Sequence, residues 1–266
     1  MAITTQDGLI AAQATAQLIN FSRNASGVTT VAGGWFSAFA QNGSPGAGTL
    51  AGTSTSAGVV PTDATAGCPT INNFTGGNTG YITNAQGGSN NACRIKFYDM
   101  LFKAGAYAFN ANTALSSQPS YSGRLPGTDY KGLEIWIEAV TPFTGNLTST
   151  ITYTNESGTT GHSTALGTGT AMAVGRMFQQ PFQAGDNGVQ KIENVQGTVA
   201  SAGTFNVLVL RPLFQLTIGG QGAGDIQAMD KLDLPIIYDS SALVAIYGTN
   251  STTGPIFDSL ITIGQG

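Results

Sequence analysis

Charged side chains are scarce in this 266-residue sequence: ten Lys and Arg together, 14 Asp and Glu, and a single histidine. They make up 9% of the chain, against roughly 25% in an ordinary soluble domain. Catalysis and metal binding draw mostly on groups that titrate or ligate near neutral pH. With one imidazole, a Ser-His-Asp triad has only His162 to supply its base. That histidine lies in SGTTGHSTALGTG, a turn-like polar run with no acid beside it, and reads as solvent-exposed or locally hydrogen-bonded. Two cysteines and one histidine make no four-ligand zinc site without carboxylates. Calcium-loop spacing is absent among the dispersed acids Asp225, Asp230, Asp233, Asp239 and Asp258. Residues 219–224, GGQGAG, lack the GK[ST] of a phosphate loop and read as a plain loop. No catalytic residue, metal or cofactor is expected.

Other absences narrow the partners. The net charge is −4 and no basic patch is visible, which argues against direct nucleic-acid binding. The opening MAITTQDGLIAAQATAQLIN has neither a positive n-region nor a continuous apolar core, so it is not a secretory signal. No apolar run approaches the ~18 residues of a membrane span. The expectation is a soluble protein made in the cytoplasm of its producer, without membrane contact.

What is present is a hydrophobic fraction of 41% with 37 glycines, enough for a sizeable core interrupted by many turns. Residues 6–22 form the best helix candidate, with Ile10, Ala14, Leu18 and Phe21 on one stripe and Gln6, Gln13, Gln17 and Asn20 on another. Such a helix packs on its own subunit or reaches a neighbour as an arm, with Ile10, Leu18 and Phe21 as contacts. Residues 43–91 carry Asp63 as their one charge and read as long Gly/Thr/Asn-rich loops or short irregular strands. Cys68 and Cys93 lie in and just after this stretch. Free or buried thiols are the plain reading, and a disulfide stapling the loop is the alternative. The run 94–109, RIKFYDMLFKAGAYAF, suggests a short helix, although its aromatics also suit a strand.

Beyond Tyr121 the pattern turns to β. In LEIWIEAV, Leu133, Ile135, Ile137 and Ala139 alternate with Glu134, Trp136 and Glu138. That period of two predicts a half-buried strand whose Glu134–Trp136–Glu138 face is solvated or contacts a partner. The two carboxylates stand roughly 13 Å apart along such a strand, whereas glycosidase pairs sit about 5–9.5 Å apart. Trp136 between them also resembles a sugar-stacking platform, with Tyr121 and Tyr130 as companions. A second strand is expected over 147–153, and others at 171–177, 189–196, 205–210, 213–218, 236–238, 243–247 and 256–263. Their spacing suits a sandwich or jelly roll.

Three pieces resemble virion proteins of tailed bacteriophages: LEIWIEAVTPFTGNLTSTITYTNESGTTGHS (133–163), PFQAGDNGVQKIENVQGTVASAGTFNVLVLRPL (181–213) and, more loosely, the opening MAITTQDGLIAAQATAQ. The resemblance covers about a third of the chain and rests on structural motifs. It implies a capsid cement or decoration protein that clamps major capsid subunits on the virion surface and oligomerises, a trimer being favoured. It implies no catalytic residue. Head fibre or glycan-binding adhesin is the alternative, with the major capsid protein itself ranked behind it. The sequence reading is therefore all-β, a jelly-roll-like β-sandwich. Residues 1–25 form a helical arm, 26–120 a loop-rich region with a short apolar helix or strand, and 121–266 the sandwich core, with 26–266 one folded unit.

Overall fold

The computed structural model describes residues 3–127, 129–168, 171–198, 202–228 and 233–266. Helix α1 (Gln6–Ala14) starts at Thr5, whose hydroxyl accepts the Gly8 N–H at 3.0 Å, and Asp7 sits in its first turn. Both features satisfy the positive, donor-rich end of a helix. It stops there. Strand β1 (Gln17–Asn24) follows and pairs antiparallel with the last strand from Gln17↔Ile263 to Asn24↔Ile256. The helix expected over 6–22 is thus half helix and half strand. Ile19, Phe21 and Arg23 alternate inward, while Leu18 and Asn20 point out. A helical stripe through Leu18 and Phe21 competes with this alternation, and burial of Ile19 with Phe21 decides it.

The remaining strands in chain order begin with β2 (Trp35–Ser37), β3 (Asn42–Ser44), β4 (Ser54–Val59), β5 (Gly80–Ser89), β6 (Cys93–Ala108) and β7 (Asn112–Ala114). After a 3-10 turn, η1 (Ser122–Arg124), come β8 (Glu134–Thr141), β9 (Thr148–Asn155), β10 (His162–Gly167), β11 (Arg176–Gln180) and β12 (Val189–Thr198). The last are β13 (Thr204–Ile218), β14 (Gly224–Ala228), β15 (Ile236–Ile237), β16 (Leu243–Thr249) and β17 (Ile256–Gln265). The short helix expected over 94–109 is instead the 16-residue strand β6. Most of it is buried on both faces, so its apolar residues run nearly unbroken and imitate a helical stripe. The stretch 43–91, read as long loops or short irregular strands, contains β4 and the ten-residue β5. The strands expected at 205–210 and 213–218 are one strand, β13, with a register shift between Pro212 and Phe214.

Six strands close on themselves. The order is β13-β8-β11-β2-β16-β6, and β6 pairs back onto β13, every contact antiparallel. Closure leaves the ring itself without a free edge, while β13 beyond Leu210 runs on paired with β6 alone. The fold is all-β: this barrel, curled sheet packed against it and one short N-terminal helix. The barrel interior is a packed core of Tyr98, Met100, Trp136, Met177, Leu208, Leu210, Val244 and Ile246, with a residual void of about 10 Å³. It is no pore.

The outside of the barrel is also buried, on two sides. Around β2 and β16, Phe36, Phe97, Ala245 and Tyr247 pack against Ile19, Phe21, Ile82, Phe257 and Ile261 of a sheet ordered β14-β5-β17-β1-β3, with β15 also on β5. Around β8, Ile135, Ile137, Val207 and Val209 pack against Ile151, Tyr153, Ile192 and Val195 of a sheet ordered β10-β9-β12-β7. Strands β6 and β13 serve both sides, β6 being ~50 Å long at the usual rise.

Candidate functional site

The three-residue face singled out in the sequence, Glu134–Trp136–Glu138, points into the barrel. Trp136 and Glu138 are buried and Glu134 is half-buried at one mouth. They present no open contact face, because the alternate residues of β8 are occupied by the flanking sheet. Period two here separates two buried faces rather than core from solvent. Glu134 Oε2 accepts from the Trp136 indole N–H at 2.7 Å and from the Tyr98 hydroxyl at 2.9 Å. Burial, with the Glu134 charge added, holds the Tyr98 phenol far above its usual range. Lys96 lies 4.8 Å from the Trp35 ring and 5.9 Å from that of Trp136, and Arg94 stacks 5.0 Å over Trp35. This mouth is plugged by cations on indoles. Tyr121, the second stacking residue expected, is buried with its hydroxyl donating to the Val189 carbonyl at 3.0 Å. Tyr130 meets it edge-on, with centroids 6.1 Å apart.

The other mouth is polar at its floor. Asn206 Nδ2 donates to Glu138 Oε2 at 2.6 Å and to the Leu50 carbonyl at 2.7 Å, while its Oδ1 accepts the Gly52 N–H at 2.9 Å. Lys103 Nζ donates to the Thr49 carbonyl at 2.9 Å and rests 4.6 Å from the Phe39 ring centroid. Burial pushes the Lys103 ammonium below its ordinary value, and the charges of Glu138 and Cys68 pull it partly back. Above this floor opens a cleft of about 280 Å³ walled by residues such as Thr49, Gly52, Val59, Pro61 and Ala66.

His162 is not alone. Its Nδ1 lies 2.6 Å from Asp186 Oδ2, which also accepts the Tyr153 hydroxyl at 2.7 Å, and Asn155 Nδ2 donates to Asp186 Oδ1 at 3.0 Å. Burial alone would raise the Asp186 carboxyl, but hydrogen bonds from Asn155, Tyr153 and His162 outweigh it and hold it below the usual range. Sequence inspection missed this cluster because Asp186 lies on the loop after β11, remote from His162 in the chain. The AGDNG turn was the available signal.

Cys68 and Cys93 are both free and buried, and they belong to different cores, the barrel interior and the β2–β16 side. The disulfide alternative is not formed. Burial pushes the Cys68 thiol up to about 12, with Asp99 adding to the shift. Among the arm contacts, Ile10 and Leu18 are exposed, whereas Phe21 is fully buried, edge-on to Phe97. Asp230 lies outside the described residues. Among the described residues no cluster of three or more His, Cys, Asp or Glu could hold a metal ion, and no helix is long and apolar enough to cross a membrane.

The outer face of the β14-β5-β17-β1-β3 sheet is partly open. In register, Ile226, Gln86, Leu260 and Asn20 form one row across it, and exposed Leu18 lies opposite buried Thr262. Ile226, Leu18, Ile10 and Ile256 are each more than two-fifths exposed. Compared with known proteins, the chain matches no family model and no curated protein sequence.

Proposed function

We propose that this protein is a structural component of a tailed-bacteriophage virion, a cement or decoration protein that binds and stabilises the major capsid lattice. One observation carries the reading beyond the sequence resemblance: exposed Ile226 and Gln86 in register with half-buried Leu260, with exposed Leu18 and Ile256 beside them, on a sheet face where Asp258 is the exposed charge between Ile256 and Leu260. Such a face loses little hydration free energy when covered, because few charges must be desolvated. Its edge strands β3 and β14 offer unpaired backbone for strand addition. Many modest contacts repeated on a lattice give avidity without one strong site. The jelly-roll likeness belongs to the same proposal, since antiparallel sheets stack here on two sides of a central barrel. Self-association, a trimer being favoured, and residence on the capsid surface complete it. The adhesin alternative relied on Trp136, Tyr121 and Tyr130, of which the first two are buried and Tyr130 is half-buried.

The test is direct. Purified protein is expected to oligomerise and to bind expanded capsids. Mass spectrometry of purified particles is expected to find it alongside a separate shell protein. Its absence from the particles ends the proposal, and particles with no other lattice-forming protein reassign it as the shell protein.

A further inference from the structure

We propose that Lys103 and Asn206 are a self-cross-linking pair: the lysine Nζ displaces the side-chain amide of Asn206 to form an isopeptide bond between β6 and β13, with Glu138 relaying the proton. The inference does not depend on the virion reading. It starts from three polar side chains sunk in one apolar interior, with Asn206 0% exposed, Glu138 1% and Lys103 5%.

Their arrangement is not that of a structural ion pair. Glu138 hydrogen-bonds the nitrogen of the Asn206 amide at 2.6 Å, the atom that must leave. The Asn206 carbonyl oxygen accepts the Gly52 N–H at 2.9 Å, a donor placed where negative charge would develop. Lys103 Nζ and Asn206 Nδ2 are tied to the carbonyls of adjacent residues, Thr49 and Leu50, at 2.9 and 2.7 Å. The two reacting groups are therefore held against the same short piece of backbone. Register agrees: Lys103 stands opposite Leu208 on β13, two positions from Asn206 and on its face. Diagonal neighbours of this kind have Cα atoms ~7–8 Å apart, within reach of a lysine. At the β-bulge facing Asn206 stands Gly105, where a Cβ would lie 2.2 Å from Asn206 Oδ1. Glycine there leaves the amide its space.

The chemistry closes without a co-reactant. Burial favours the neutral amine of Lys103, the nucleophilic form. Nζ adds to Cγ of Asn206, and Oδ1 takes the charge under the Gly52 N–H. Glu138 accepts a proton from the attacking nitrogen and delivers it to Nδ2. The Cγ–Nδ2 bond breaks, ammonia leaves, and an amide joins Nζ to Cγ. Nothing is oxidised or reduced. Fixed proximity in a dry site supplies the rate.

Intact-mass spectrometry of the full chain, folded and incubated at neutral pH, tests this. The expected mass is that of the sequence less one ammonia, with Lys103 and Asn206 recovered in one branched proteolytic peptide. Lys103→Met and Asn206→Ala chains are expected at their full calculated masses, and Glu138→Gln is expected to stay largely uncoupled. A wild-type chain at full mass, with the two residues in separate peptides, overturns the proposal whether or not the variants fold. So does ammonia loss without a branched peptide, as succinimide formation at Asn42-Gly43 or Asn187-Gly188 would give.

Discussion

Asp99 and Arg211 stand opposite each other in the β6–β13 register, and Arg211 Nη2 reaches Asp99 Oδ2 at 3.0 Å inside the fold. The pair sits where β6 changes allegiance, between Phe97 of one flanking core and Leu101 of the other. Arg124 of η1 adds a contact at 3.2 Å, and Ser241 Oγ and the Ala242 N–H each donate to the same carboxylate at 2.9 Å. One fully buried acid thus pins the η1 turn and the approach to β16 onto the seam of the barrel.

Removing that acid leaves two buried guanidiniums without their counter-ion. Asp99→Ala is expected to lower stability by about 3–5 kcal/mol, the cost of breaking a buried pair from one side. Urea unfolding monitored by tryptophan fluorescence measures it. A loss under about 1 kcal/mol would mean the network is not formed as described.

The strand assignment of β1 separates two residues that a helix would treat alike. Phe21→Ala is expected to cost about 3–5 kcal/mol as a core truncation, while Leu18→Ala stays within about 0.5 kcal/mol. Equal effects from the two in parallel denaturation curves would contradict the alternation.

For the outer sheet face, Ile226→Asp combined with Leu18→Asp is expected to leave the thermal midpoint nearly unchanged. Capsid binding by co-sedimentation should fall at least tenfold, because a carboxylate must be desolvated at each contact. Undiminished binding would move the interface elsewhere.

Acid acts through Asp186. Its folded-state pKa lies below the ordinary carboxylate value because three hydrogen bonds favour the ionised form. Its contribution is therefore complete above the unfolded pKa, near 3.9, and is lost as pH falls through the lower folded value. Asp186→Asn is expected to flatten the acid limb of the stability profile below about pH 4. An unchanged limb, followed by circular dichroism, would remove Asp186 from the account.

The thiols give a reactivity prediction. With Cys68 pushed up to about 12 and both cysteines buried, neither is expected to react with a disulfide reagent at pH 8 in the folded state. Both should titrate in denaturant. Fewer than two thiols in denaturant without reductant would indicate a bond between them.

The sequence carried the all-β class because period two is plain in LEIWIEAV and in the threonine-rich β9. It could not say which face of β8 meets solvent, since neither does: Ile135 and Ile137 pack outward on a sheet and Trp136 inward on Met177 and Leu208. The same double burial disguised β6 as a helix. Across α1 and β1, apolar residues at 10, 14, 18 and 21 fit a helical stripe while 19 and 21 fit an alternation, and pairing with β17 chooses between the two in β1. The polar clusters were invisible for another reason. Asp99 with Arg124 and Arg211, His162 with Asp186, and Lys103 with Glu138 and Asn206 are each assembled from separate strands or loops. No local spacing announces them.

A ring of strands offers no loose end from which to peel. Opening β6 from β13 means sliding a long seam while the opposite wall still holds, whereas β10, β7, β3 and β14 at the sheet margins can fray singly. Amide protons of Met100, Trp136 and Leu208 should therefore exchange only when the whole molecule lets go. The rims would breathe long before, which places pliancy outside and permanence at the centre.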